Sequence, residues 1–401
     1  MLAARSRCAA AAALAVLPLL GACSSGSKSL PGPAPLATTT LLTRLGADTL
    51  AIEQYTRTAT QMEGMLVSRV PSTRIARYSV KLDSAGAPTR ADFSVRNGDG
   101  TPITGELQSL SVRYAADSVQ VVGHRSAGDT TRTIAARGDI LPYASGSYGL
   151  YELAFARLIA SRRDSAQFAL VPLTLGVRTT TPLGVTRIGA DSVRIFFGGS
   201  PLFARIGPRG GMIGLDASRT TVKVRVERVE TADVAGLARE WALRESVSAP
   251  VGAPSSRDTV NATIGSARVW VDYGRPALRA RDVWTNGVLG DTLWRTGANA
   301  ATQFRTDVPL VVGGAPVPAG TYTLWTAVTP SGYQLVINKQ FGQWGTAYDP
   351  KRDLVRVPLR ETAVSPPVER FTIAVDPQGT LGGFLVLTWG TKQLSVSLAA
   401  R

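Results

Sequence analysis

Apolar and polar residues alternate one for one along much of this 401-residue chain. Phe93 and Val95 alternate with Ser94 and Arg96, and Leu110, Val112 and Tyr114 with Ser109, Ser111 and Arg113. A period of two predicts strands with one apolar and one wetted face, as in an antiparallel sheet. Turn formers separate the runs at Ser84–Pro88, Ala115–Asp117, Ser126–Asp129 and Gly207–Gly211. Their close spacing predicts a meander from Asp48 to about Asp233.

Gly149 to Arg162 breaks the alternation. It has helical length and few β-branched residues, and Leu150, Tyr151, Leu153, Phe155, Leu158 and Ile159 point to nearly every side. A helix apolar all round is a buried one. Its expected place is inside the concave face of a strongly curved sheet, where it either completes the core or lids a lipid cavity. The arrangement is similar to the half-open barrels of bacterial lipoprotein carriers and related lipid-binding lipoproteins. That likeness is one of architecture, which does not fix function.

A short helical stretch around Val234–Arg244 precedes Ser246–Ser256, which holds Pro250 and Pro254 and has no periodicity. This marks a domain boundary. Beyond it, strands are expected at 265–273, 302–312, 321–328, 333–338, 353–360, 370–375, 383–389 and 393–398. The continuously apolar Phe384–Leu387 suits a strand covered on both faces, and two packed sheets bury such strands economically. The expected fold is therefore mainly β: an N-terminal curved antiparallel sheet, half-barrel-like, packed on one helix (48–235), a linker (236–262), and a C-terminal β-sandwich (263–401).

The first residues change the picture from fold to address. Arg5 and Arg7 precede a short apolar run from Ala9 to Leu20, and Leu20-Gly21-Ala22-Cys23 follows. This resembles a bacterial lipoprotein signal, with 1–22 removed and Cys23 lipidated as the new N-terminus; an ordinary secretory signal cut after Ala22 is the competing reading. Cys8 lies within the leader, so the mature chain is expected to keep Cys23 alone. Ser24 rather than Asp after that Cys favours, by the same resemblance, the outer membrane, with the protein facing the periplasm. Residues 23–47 read as a flexible tether.

The formal charge is +15, with 44 basic against 29 acidic residues. The basic residues form no stripe and accompany no reader motif, so nucleic acid is not an expected partner; the membrane, through Cys23, and an envelope glycan or lipid are. The single His, His124, sits in a Gly-His-Arg-Ser turn without a nucleophile elbow. With no Cys left beside it, neither a metal nor another cofactor is expected. Carboxylates are the remaining acid/base stock, and their spacing selects no facing pair.

The richest chemistry lies between Trp294 and Gly345, where Trp, Tyr, Asn, Arg and Lys are interleaved with turn formers. Here the C-terminal third resembles a bacterial family, the domain of unknown function 2911. The resemblance rests on Tyr273–Pro276, Leu293–Asn299, Pro318–Tyr322, and Asn338-Lys339 with Gly342–Gly345, in that order. Pro367–Phe371 and a closing strand ending in Trp389 match its style. The resemblance implies an exported bacterial β-domain and no reaction.

Two accounts of these motifs stand side by side. In one, Trp294, Tyr322 and Trp325 fill the sandwich, and Arg275 or Arg295 pairs with Asp272 or Glu369. In the other, Tyr273, Arg275, Trp294, Arg295, Asn299, Asn338, Lys339 and Trp344 line a groove in which aromatic faces and hydrogen-bonding groups receive a ligand. The expected function is a lipid-anchored envelope protein with a non-catalytic binding role, for a saccharide or another envelope polymer. The alternatives are a lipid or lipoprotein carrier using the N-terminal sheet, and a carboxylate-dependent hydrolase.

Overall fold

A computed structural model describes residues 38–400 apart from 105–106, 126, 175–177, 198–199, 221, 249 and 285–292. The leader, Cys23 and most of the expected tether lie outside the described residues. The tether ends earlier than expected: Thr38–Leu45 is a strand, paired on one side with Asp48–Arg57 and on the other with Arg225–Val229. Its Thr-rich run conceals a strand buried on both faces, with Thr40, Leu41 and Thr43 all inaccessible.

Thr38–Leu45 is the centre of a 15-stranded sheet made of two meanders. One runs out through successive antiparallel hairpins to Thr130–Ala135, and the other returns from Arg225–Val229 to Ile140–Tyr143, which pairs in parallel with Ser165–Pro172. Only Ala136 to Asp139 separate the strands that form the two outer edges, so the sheet curls until its edges approach one another. The curl encloses a core in which the helix α1 (Tyr151–Ala160) is buried, with Leu153, Phe155 and Leu158 at or below 2% exposure.

Two buried carboxylates seat α1. The helix has no side-chain cap of its own, and Glu53, from the strand Asp48–Arg57, accepts the backbone N–H groups of Tyr148 and Gly149 at 2.8 and 2.9 Å. Glu53 also accepts from Tyr78 Oη at 2.8 Å and Ser147 Oγ at 2.5 Å, so both its oxygens are occupied. Glu152, in the first turn, accepts from Tyr55 Oη (2.5 Å), Met212 N (2.6 Å) and Arg57 Nε (2.8 Å). Burial nonetheless raises the Glu53 carboxyl above its ordinary value, the hydrogen bonds from Ser147, Gly149, Tyr78 and Tyr148 pulling the other way.

The expected linker is largely structured. Helix α2 (Val234–Val247) opens on the Asp233 side chain, which accepts from Gly236 N at 2.8 Å. Its Val234, Ala238 and Trp241 repeat at helical spacing and cover Ile52 and Val67 on the outer face of the sheet. Glu245 holds the last turn down by accepting from Thr73 N and Oγ1, both at 2.8 Å. Among the described residues no helix is long and apolar enough to cross a membrane.

Ser255–Ile264 already belongs to the second sheet, as the edge strand paired with Ala267–Pro276. From there the order continues through Thr302–Thr306, Gly320–Thr329, Gly332–Asn338 and the 26-residue strand Asp353–Gln378. That strand pairs with Gly332–Asn338 through residues 353–359 and with Gly382–Ala400 through 360–378. By crossing from one layer to the other it folds a single sheet over a core containing Val271, Phe304, Leu324, Phe371, Leu387 and Trp389.

Candidate functional site

The strand Ala267–Pro276 presents Tyr273 to that core. Its ring is 1% exposed, sits edge-on to Phe371 at 5.7 Å, and its hydroxyl faces the Ile373 carbonyl at 3.5 Å. Trp294 is equally buried, stacked on Trp389 at 5.6 Å and 18°, with its Nε1 donating to the Gly297 carbonyl at 2.9 Å. Arg275 donates to Asp258 at 2.9 Å and to the Phe371 carbonyl and Thr372 Oγ1, both at 3.1 Å, so it ties the two layers together. Its carboxylate partner is thus Asp258; Asp272 is held by Arg257 instead. Asn338 is fully buried, with its amide donating to the Asp349 carbonyl and Asp353 Oδ1 and accepting from Gln340 N, each at 2.9 Å.

Tyr273, Trp294 and Asn338 thus spend their polar groups within the core, and Arg275 ties the layers together; none of the four lines the cavity described next. Lys339 is exposed but does not line the cavity described next.

Arg295, Asn299 and Trp344 do come together, at a cavity of about 330 Å³ between the two sheets. One wall is the N-terminal sheet, through Leu45, Leu50, Val222 and Val224; the other is the sandwich, through Pro276 and Trp389, with Pro254 from the connecting segment. Trp344, half exposed, stands at the opening. The loop bearing Arg295 turns through left-handed Thr296 and Asn299, a conformation that Asn tolerates better than most residues. It is laced to the Trp344 turn by Gly345 N donating to the Asn299 carbonyl at 2.9 Å and Ala301 N to the Gln343 carbonyl at 3.2 Å.

Two glycines of the family-like motifs have a steric reason here. A Cβ on Gly345 would lie 1.9 Å from Arg295 Cδ and 2.4 Å from the Asn299 carbonyl; one on Gly274 would lie 2.2 Å from the Ala298 carbonyl. Tyr-Gly-Arg-Pro, Trp-Arg-Thr-Gly-Ala-Asn and Gly-Gln-Trp-Gly therefore interlock as one unit.

The cavity is cationic with apolar walls. Arg295 Nε is buried and has no acceptor among the described residues, and burial pushes the guanidinium down to about 10. Arg281 also lines the cavity; burial lowers it too, Arg279 adding to the effect, and it donates to the Leu278 and Ala277 carbonyls at 2.9 and 2.6 Å. Trp389 Nε1 is a second buried donor without an acceptor among the described residues. Among the described residues the lining contains no Asp, Glu or His.

Arg281, Trp389 and the Val222–Val224 wall were not among the expected site residues. Trp389 follows an apolar strand and reads as core, and nothing local to Val222 or Arg281 announces that two sheets meet there. Beside α1, Leu150, Tyr151, Leu170 and Leu183 close together and leave no room for a water-sized molecule between them, so this side of the helix packs as core. Two larger grooves, about 610 and 590 Å³, lie open on sheet faces. In the first, Arg268 pairs with Asp307 at 2.6 Å and Arg305 lies over Trp270; in the second, His124 meets Asp129 at 2.9 Å.

Residues 255–398 match the family described as "Protein of unknown function (DUF2911)". No curated protein matches the chain. Among solved structures, a DUF1089 family protein from Pseudomonas aeruginosa is similar at 14% identity and a TM-score of 0.33, over 42% of this chain and 90% of its own. A β-barrel-like protein of the domain of unknown function DUF1849 from Brucella abortus is similar at 10% identity and a TM-score of 0.30, over 48% of this chain and 92% of its own.

Proposed function

We propose that this chain is a lipid-anchored protein of a bacterial cell envelope that binds a small ligand, or one unit of an envelope polymer, between its two β-units and does no chemistry on it. The observation that carries the binding role is Arg295, a largely buried cation with no carboxylate partner among the described residues, at the wall of a cavity. Its volume of about 330 Å³ falls at the lower end of the range for small-molecule sites. Interfaces between domains are preferred places for such sites, because each side contributes a wall and neither must hollow out its own core. Trp344 at the mouth supplies an aromatic face to a ligand entering from solvent.

The address rests on the leader, with Arg5, Arg7 and Leu20-Gly21-Ala22-Cys23. Ser24 directs the lipidated chain to the outer membrane, facing the periplasm. Metabolic labelling with a palmitate analogue in a Gram-negative host, followed by membrane fractionation, tests this: label and membrane recovery are expected for the natural chain and neither for Cys23→Ala. An unlabelled natural chain in the soluble fraction overturns the anchor. The binding role is tested by a ligand screen on residues 38–401, comparing the natural protein with Trp344→Ala; loss of a saturable ligand in the variant is expected, and a protein that binds nothing overturns it.

A further inference from the structure

The cavity discriminates between ligand classes more sharply than its position alone requires. A neutral saccharide needs a wall rich in paired donors and acceptors, since each buried hydroxyl must find a partner. These walls are instead dominated by Leu45, Leu50, Val222, Val224 and Pro276, with the Ser255 hydroxyl and the Asn299 amide as the neutral polar side chains and no carboxylate among the described lining residues. Among the described residues neither Arg295 Nε nor Trp389 Nε1 has an acceptor, and Arg281 adds positive charge. A wall whose charged side chains, among the described residues, are all cations is complemented by an anion. A planar guanidinium meets the two oxygens of a carboxylate or phosphate in matched, bidentate geometry. The charge of +15 on the whole chain raises the local concentration of any anion.

We infer that the ligand of this cavity is a small amphiphilic anion, its carboxylate or phosphate oxygens received by Arg295 and its apolar body packed between Leu50, Val224 and Pro276. The inference rests on the binding role proposed above and narrows it from an envelope ligand in general to one bearing a negative head on an apolar body. Asn299 stands beside the head, and Trp344 covers the apolar end at the mouth. The loss of solvation that Arg295 suffers in the empty protein is recovered when an anion enters, so the free energy of pairing goes into affinity.

The test uses four probes with one body and four heads, each below its micelle concentration: octanoate, octyl phosphate, octyl glucoside and octylammonium. Binding to the folded protein, residues 38–401, is read by calorimetry and by the change in Trp fluorescence. Saturable binding of at least one anion is expected, with octyl glucoside and octylammonium at least tenfold weaker. The tighter of the two anions identifies the natural head as carboxylate or phosphate. Arg295→Met is expected to weaken the anions at least tenfold and leave octyl glucoside unchanged. Asn299→Asp, which keeps the left-handed turn and adds a negative charge, is expected to do the same and serves should Arg295→Met not fold. Octyl glucoside binding as tightly as the anions, with neither variant changing any probe, overturns the anionic assignment and leaves the binding role standing. Anion binding that both variants leave intact places the anion elsewhere and overturns it as well. Failure of all four probes to bind the folded natural protein overturns the binding role itself.

Discussion

Arg295 holds a charge where water reaches it poorly, and no carboxylate among the described residues repays that cost. Its depressed folded-state value means that the charged form opposes folding at neutral pH, so Arg295→Met is expected to stabilise the empty protein by about 1 kcal/mol. Thermal unfolding of the two proteins without ligand checks this; a lower melting temperature in the variant would show that Arg295 works for the fold. Glu53 behaves in the opposite sense. With four donors on its oxygens, Glu53→Ala is expected to cost about 3 kcal/mol by leaving Tyr78, Ser147, Tyr148 and Gly149 without an acceptor. Its folded-state value is raised, so its contribution is full below the unfolded value of 4.5 and is lost as pH rises through the folded value. The stability gap between the natural protein and Glu53→Gln is therefore expected to be widest near about pH 4 and to narrow towards about pH 8. Denaturant titrations at the two pH values measure it. Neither carboxylate was legible as a helix anchor, because Glu53 and Glu152 look like ordinary charged positions until a strand and a helix nearly a hundred residues apart are brought together.

The strands were the readable elements. Period-two alternation is a local property of a sheet with one wet face, which is why Phe93–Arg96 and Ser109–Tyr114 announce themselves. The apolar helix between residues 149 and 162 was equally plain, and the structure trims it to Tyr151–Ala160. Ser255–Ile264 was not readable, since an edge strand half exposed along its length carries small and polar residues and follows two prolines. Helix α2 was seen only in part because its apolar stripe is narrow, while Leu243 and Val247 remain exposed. That narrow stripe makes Trp241 its main attachment, 8% exposed and stacked under Arg69 at 5.1 Å. Trp241→Ala is expected to cost about 3 kcal/mol and to speed hydrogen exchange across 234–247 while α1 keeps its protection. Equal loss of protection in both helices would mean that α2 is integral to the N-terminal core.

At the scale of the molecule, two separate cores are fastened along a narrow seam. The turn at Gly46–Asp48 reaches the segment 277–281, where Ala47 N donates to the Arg279 carbonyl at 3.2 Å and Asp48 pairs with the buried Arg279 guanidinium. Asp48→Ala leaves that guanidinium without its carboxylate and is expected to loosen the seam by about 3 kcal/mol. Limited proteolysis should then cut the segment 248–254 faster, and the same change should weaken whatever the cavity binds; unchanged cleavage would show that the apolar contacts alone hold the seam. The sequence by itself determined the β class, the buried helix and the motifs shared with a family, because alternation, apolar runs and turn residues act over a few neighbouring positions. Tertiary structure alone decided which motif residues serve the framework and which reach the cavity. Tyr273, Trp294 and Asn338 are absorbed by the packing of one sandwich, whereas the free face of Arg295 exists only because a second sheet, starting at Thr38, closes over it with Leu45, Leu50 and Val224. Burial and pairing are relations between distant segments, and no local pattern encodes them.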